Sequence, residues 1–160
     1  MLKWIVIVPV ALLLLLLIAG QAGLLRGKPP ADLGVREGKL KRPSKTPNSV
    51  SSQAALWPDH PQAGYAQIAP LPAQTGAEGP LVRIRARVAA MPGATVVKAE
   101  TDYLHVTFTT PLLKFTDDAE FWFDPVAGVV QVRSASRLGR KDFGVNRQRI
   151  ETLREALAQP

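Results

Sequence analysis

The chain has 160 residues, of which 46% are hydrophobic and 21% charged, and this balance excludes a largely disordered chain and a pair of separate folded domains. Twenty Lys and Arg residues against thirteen Asp and Glu residues give a formal net charge of +7. There is no cysteine, so disulfides, thiol nucleophiles and cysteine metal sites are excluded. The basic residues are not interleaved with aromatic residues as in nucleic-acid-binding modules, and we expect no nucleic-acid partner.

A long apolar run opens the chain. Residues 4–20 are uniformly apolar, and beyond Gln21 the run continues to Leu25. At about 1.5 Å per helical residue, this length matches the hydrocarbon core of a bilayer. Residues 1–25 are therefore predicted to be a transmembrane anchor or an uncleaved signal, with cleavage near the small residues Gly20 and Ala22 as the alternative.

Residues 26–46 are basic and contain several prolines, and this composition predicts a linker beside the membrane. Such a basic segment favours anionic headgroups. By the positive-inside rule, its charges would keep the following domain in the cytoplasm. Residues 47–160 are predicted to form one domain, which begins with an extended, irregular arm whose Trp57, Ile68 and Leu71 dock on the rest.

The domain is predicted to be of the α+β class. Leu81 to Met91 fits one face of a helix, although the alternation of Arg83, Arg85 and Arg87 with apolar residues also fits a strand. A closing helix is predicted from Asn146. Strands are predicted at Thr95 to Ala99, Tyr103 to Thr109, Phe115 to Phe123 and Val129 to Ser134. Two helices on a sheet of roughly four antiparallel strands make a two-layer sandwich.

One carboxylate falls within an apolar face of the third predicted strand. Asp117 shares that face with Phe115 and Phe121, because side chains alternate along a strand, while Asp118 and Glu120 point to the opposite face. An unpaired buried carboxylate is costly, so Asp117 needs a charged or hydrogen-bonding partner. We expect Arg133 or Arg137 of the next strand to supply it.

The closing helix carries two arginines in an unfavourable place. With Asn146 as its N-cap, Arg147 and Arg149 would lie in the first turn, at the positive end of the helix dipole. An anion held by the free N–H groups and these arginines would explain them. The alternative is that Asp142 is the cap, or that the arginines pair with nearby carboxylates.

These features define a candidate ligand-binding site in the basic stretch from Arg133 to Arg149. The predicted ligand-binding residues are Arg133, Ser134, Ser136, Arg137, Asn146, Arg147 and Arg149. The predicted structural charge partners are Asp117, Asp118, Glu120 and Asp142.

Neither a catalytic residue nor a metal site is predicted. Ser134 or Ser136 with His105 would supply the residue types of a nucleophilic triad, but neither serine lies in a nucleophile-elbow sequence. His60 and His105 do not form a short ligand-spaced pair. No nucleotide-binding glycine loop is found, so no cofactor is expected and an enzyme is the least favoured class.

Four motifs occur in order: P-N-S-V-S-S-Q-A, I-A-P-L, F-T-D-D-A-E-F and R-S-A-S-R-L-G-R-K-D-F-G-V-N-R-Q-R-I. Together they resemble a mainly bacterial family, with relatives in plastids, that is known only as a domain of unknown function, DUF1499. The resemblance covers Leu33 to about Leu157. It implies an exported domain, because members typically carry a signal, lipoprotein or membrane segment. Members often have cysteines at the positions of Pro43 and Ser49, and this chain departs from the family at both.

We therefore expect a single-pass protein of the bacterial inner membrane, with the domain on the periplasmic side, as the implied export favours. The leading hypothesis is a non-catalytic, membrane-tethered module that binds an anionic small molecule or lipid headgroup. The alternative is a structural or scaffold protein of the cell envelope with another envelope protein as partner. In that case the arginine-rich joint is an internal salt-bridge network.

Overall fold

The computed structural model describes residues 2–73 and 79–159, with the side chain of Leu2 excepted. The predicted domain also includes residues 74–78 and Pro160, which lie outside the described residues. The helices are α1 (Leu2–Gln21), α2 (Ala63–Ala66), α3 (Val82–Ala89) and α4 (Val145–Ala158). The strands are β1 (Ser49–Ser51), β2 (Leu71–Pro72), β3 (Ala94–Ala99), β4 (Tyr103–Thr109), β5 (Thr116–Asp124) and β6 (Val129–Ser136).

The α+β class is confirmed, with an open antiparallel sheet of six strands where about four were predicted. Its order is β1-β6-β5-β4-β3, and β2 also pairs with β6. The four predicted strands correspond to β3 to β6. The two additional strands come from the arm, where Val50 pairs with Ser134 and Leu71 pairs with Val130. They are too short to show an alternating pattern in the sequence.

One face of the sheet is covered by α3 and α4. Ile84 of α3 and Ile150 and Leu153 of α4 are buried in one cluster with Phe121 of β5. The arm docks on this cluster as expected through Ile68 and Leu71, while Trp57 stays half-buried outside it. This side is the main hydrophobic core.

The opposite face of the sheet is covered by part of the basic segment that the sequence predicts as a linker. Leu40 is buried against Tyr103 and Trp122. The Leu40 N–H donates to Oε1 of Gln53 (2.8 Å), and the Gly34 N–H donates to Oε1 of Glu120 (2.7 Å). Residues 34–40 therefore form an ordered cover, and β5 is buried on both of its faces.

Helix α1 is long and apolar enough to cross a membrane, and it could be an anchor or a signal sequence. From Lys3 to Gln21 its mean hydropathy is 2.6, and it is the single such helix among the described residues. Its C-terminal end packs on the loop between β4 and β5. Nε2 of Gln21 donates to the carbonyl oxygens of Pro111 (3.3 Å) and Leu112 (2.7 Å). A Cβ on Gly20 would lie 2.8 Å from Cα of Leu113, so this contact is close.

Candidate functional site

The alternation of β6 divides the predicted site residues between the two faces of the sheet. Ser136 pairs with Asp117, and Arg133 pairs with Glu120. Directly paired residues point to the same face, so Asp117 shares its face with the serines and not with Arg133 or Arg137. The expected pairing of Asp117 with Arg133 or Arg137 is therefore wrong.

Arg149 of α4 is the partner of Asp117. Its Nη2 donates to Oδ2 of Asp117 (2.6 Å), and its Nη1 donates to Oγ of Ser134 (3.0 Å) and Oδ1 of Asn146 (2.7 Å). The guanidinium also lies over the ring of Phe108, 4.3 Å from its centroid. These contacts give the buried carboxylate a charged partner and engage both Nη groups of Arg149.

Asn146 is not the N-cap of the closing helix. The cap position is Gly144, with a φ of 84°, and the side chain that accepts the free N–H groups belongs to Asp142. Its Oδ1 accepts the Gly144 N–H (3.1 Å), and its Oδ2 accepts the Asn146 N–H (3.1 Å). Burial alone would raise the pKa of Asp142, but bonds from the Tyr65 hydroxyl and from Asn146 lower it. The alternative considered from the sequence is therefore correct in the side chain but not in the position: the Asp142 carboxylate accepts the free N–H groups, while the N-cap residue is Gly144.

Asn146 instead links β6 to the arm from inside the core. Its Nδ2 donates to Oγ of Ser136 (3.1 Å), to Oδ2 of Asp142 (2.9 Å) and to the carbonyl oxygen of Asn48 (3.2 Å). Its Oδ1 accepts a bond from the hydroxyl of Ser134 (2.6 Å). Both serines and Asn146 are therefore engaged in a local network.

Arg147 lies on the outer side of α4 and ties the helix to the arm. Its Nη1 donates to the Gln67 carbonyl oxygen (2.8 Å), and its Nη2 donates to the Tyr65 carbonyl oxygen (2.6 Å). Arg149 is likewise engaged with internal acceptors. The first five residues of α4 thus include two arginines whose Nη1 and Nη2 groups already have protein partners.

On the opposite face of the sheet, Asp118 is held by the side chains of Arg137 and His105. Nε and Nη2 of Arg137 donate to its two carboxylate oxygens at 2.7 and 2.8 Å, a bidentate pair. Nε2 of His105 lies 2.8 Å from Oδ1. Burial alone would raise the pKa of Asp118, but the bonds from Arg137 and His105 outweigh it and lower the pKa to about 2.

The lowered pKa makes Asp118 a source of acid sensitivity. The ionised carboxylate stabilises the fold above its ordinary pKa of 3.8, and this contribution is lost as the pH falls toward 2. We expect about 2 kcal/mol of the free energy of unfolding to disappear across that window because of Asp118. Urea unfolding followed by tryptophan fluorescence at about pH 5 and pH 2.5 measures it. An Asp118→Asn variant should lose less stability on acidification than the wild type, and an equal loss would contradict the assignment.

Arg133 is the most deeply buried basic side chain of the stretch from Arg133 to Arg149, with 4% of its side chain exposed. Its Nη1 lies 3.5 Å from Oε2 of the fully buried Glu120, and its buried Nε has no hydrogen-bond partner among the described residues. Glu120 also accepts bonds from the Gly34 N–H and the Tyr103 hydroxyl (2.8 Å). Burial lowers the pKa of Arg133, with Glu120 acting in the opposite direction, and the guanidinium stays charged at neutral pH.

Arg133 and Arg137 form one wall of a cavity of about 310 Å³. The facing wall comes from the basic segment, so six basic side chains surround the cavity with Asp118 as the single carboxylate. The basic lining residues are Lys28, Lys41, Arg42, Lys45, Arg133 and Arg137. Four of these lie in residues 26–46, which the sequence analysis assigned to a linker. Their clustering in that segment was the one sequence feature that could have indicated a cavity wall there.

The described residues contain no corresponding cluster of metal-binding side chains. Within residues 2–73 and 79–159, no three His, Asp or Glu side chains come together in a group that could hold a metal ion.

A comparison with models of known protein families identifies the family to which the chain is related. The family model described as "Protein of unknown function (DUF1499)" matches residues 39–157, well over half of the chain. The chain belongs to this family. The DUF1499 match begins at Lys39 and so includes the cavity residues Lys41, Arg42 and Lys45 together with β6. No curated protein and no solved structure matches the chain.

Proposed function

We propose that the protein is a membrane-tethered module that binds an anionic group, a phosphate or a carboxylate, in the basic cavity between residues 28–45 and β6. The observation that carries the proposal is the buried Nε of Arg133, which has no acceptor within residues 2–73 and 79–159. Nearly all buried polar groups in native proteins have a hydrogen-bond partner, so an exception in a cavity wall favours a ligand.

The charge around the cavity supports an anion as that ligand. Three of the six basic residues that line the cavity are paired with carboxylates: Lys41 with Asp32, Arg133 with Glu120 and Arg137 with Asp118. The remaining positive charge comes from Lys28, Arg42 and Lys45. Arginine presents a planar fork of N–H donors that fits phosphate and carboxylate oxygens. An anion oxygen within reach of the Arg133 guanidinium would add an acceptor to a group whose Nη1 meets Glu120 only at 3.5 Å.

The ligand could be a lipid headgroup or a small soluble anion, since both offer the same chemistry. The position of the cavity favours the headgroup. A Cβ on Gly27 would lie 2.7 Å from Cβ of Arg137, so the chain leaving α1 packs directly on the cavity wall. With α1 retained as an anchor, the cavity would lie close to the bilayer surface. We further propose that the anchor lies in the bacterial inner membrane and that the domain is periplasmic.

Full-length protein in nanodiscs tests the binding. The test variant is Arg42→Gln with Lys45→Gln, which removes two exposed charges from the cavity without touching the buried Arg133. The control is Arg85→Gln with Lys98→Gln, which removes two exposed charges elsewhere. One arm titrates inorganic phosphate into zwitterionic nanodiscs by calorimetry. The other counts anionic lipids retained on native mass spectrometry after extraction from mixed membranes.

We expect wild type and control to bind and the test variant to bind about thirtyfold more weakly, since each of the two basic residues removed contributes about 1 kcal/mol near an anionic surface. Phosphate binding in zwitterionic nanodiscs would identify a soluble ligand. Retention of anionic lipid alone would identify a headgroup. Absence of both, or equal weakening in the control, would overturn the proposal.

The alternative remains a structural protein of the cell envelope that binds a protein partner elsewhere. The internal bonds of Arg137, Arg147 and Arg149 favour it, because side chains held by protein acceptors need no ligand. It predicts that neither arm detects binding and that the purified protein carries another polypeptide whose retention is unaffected by the cavity variant.

A further inference from the structure

Five large hydrophobic side chains are exposed on two loops of the domain. One loop joins β4 to β5 and the other joins β6 to α4 and includes the first residue of α4. We call these side chains the loop hydrophobics: Leu112, Phe115, Leu138, Phe143 and Val145. Phe143 is 93% exposed and Leu112 is 66% exposed. Single exposed hydrophobic residues are ordinary, but five on two loops beside one another indicate an interaction surface.

Both loops lie against the point where the chain leaves α1. Gln21 at the end of α1 donates to the Leu112 carbonyl oxygen. A Cβ on Gly27 would come within 3.0 Å of Cγ of Leu138. Val145 lines a groove together with Pro111 of the first loop, so the two loops are neighbours. A bilayer crossed by α1 would therefore have the loop hydrophobics close to its surface.

The charges on the two loops match an anionic bilayer. Lys114 lies on the first loop, and the exposed Arg140 and Lys141 lie on the second. The one carboxylate there, Asp142, is buried and turned inward to cap α4. Exposed apolar residues flanked by Lys and Arg are typical of segments that lie in the headgroup region.

The backbone of each loop contains one residue in an unfavourable conformation. Lys114 has a φ of 59° and Phe143 has a φ of 53°, in the left-handed region that residues other than glycine rarely adopt. In the second loop this conformation accompanies an almost fully exposed phenyl ring. Strained residues of this kind are concentrated at functional surfaces.

We propose that α1 stays attached and that the two loops insert the loop hydrophobics into the headgroup region of an anionic bilayer. The domain then lies on the membrane in a fixed orientation. The loops contact the lipid whether or not the basic cavity holds a ligand, so this inference goes beyond the proposed function and does not depend on it.

The absence of cysteine makes a direct test simple, because one introduced cysteine can carry a single spin label. The test position is Phe143→Cys. The control is Val126→Cys, which is 96% exposed in the turn between β5 and β6. That turn lies at the opposite end of β5 from the loop between β4 and β5. At the usual rise per strand residue, the length of β5 separates the two by roughly 27 Å. Arg140→Cys is a second test position that keeps all the loop hydrophobics.

The measurement is the accessibility of each label to membrane-soluble oxygen and to a water-soluble nickel chelate, on full-length protein in nanodiscs containing phosphatidylglycerol. Intact mass confirms that α1 is present, and circular dichroism confirms folding. We expect labels at positions 143 and 140 to be less accessible to the nickel chelate and more accessible to oxygen than the label at position 126, which stays in water. Equal nickel accessibility at 143, 140 and 126 would overturn the proposal, whatever the cavity binds.

Discussion

Replacement of Arg149 by alanine is expected to lower the free energy of unfolding by about 3–5 kcal/mol. The substitution leaves Asp117 buried without its charged partner. It also removes the hydrogen bonds that Arg149 donates to Ser134 and Asn146. The measurement is urea unfolding of the full-length protein in detergent, followed by tryptophan fluorescence.

Arg147→Ala is the matched control for this variant. Arg147 is two residues earlier on the same helix, but its guanidinium bonds to two carbonyl oxygens at the surface and, in the part of the chain that the structure describes, to no carboxylate. Its removal should cost about 1 kcal/mol. Equal losses for the two variants would contradict the assignment of Arg149 as the partner of a buried charge.

Glu120→Gln is expected to cause a loss of similar size, about 3–5 kcal/mol, although it changes the shape of the side chain very little. The substitution removes the counter-charge of Arg133 and leaves a guanidinium buried in the sheet. The same unfolding measurement applies, with Glu155→Gln at an exposed position of α4 as a control that should stay within about 0.5 kcal/mol of wild type.

A double variant distinguishes the lost charge from lost packing. Glu120→Gln combined with Arg133→Met removes both members of the buried pair, and it should recover much of the stability that Glu120→Gln loses. A double variant no more stable than the single one would show that Arg133 does not depend on the charge of Glu120.

The elements that were predicted from the sequence are those with enough residues to show a period. The alternation from Tyr103 to Thr109 identifies β4, and the spacing of Ile150, Leu153 and Leu157 identifies α4. The strands β1 and β2 have three and two residues, so no period could reveal them. They exist because β6 offers an edge on which the arm can pair.

The candidate site was predicted in its residue types but not in its partners. The sequence showed that Asp117 needs a cation, yet the choice between Arg133 and Arg149 depends on strand register and on how α4 crosses the sheet. The basic segment was interpreted as a linker because its composition is that of a solvated tether. The burial of Leu40 against Trp122 depends on residues distant in sequence, and local composition carries no information about it.

The cover formed by residues 34–40 has a consequence for the order in which the chain can fold. The bond from the Gly34 N–H to Glu120 joins residues 86 positions apart, so it cannot form until β5 has been synthesised. Contacts over such separations are slow to form, because a long loop must close first. During synthesis Glu120 and Arg133 therefore remain hydrated, and their desolvation is a late event. The segment that follows α1 is thus made among the first parts of the chain and completes its packing among the last.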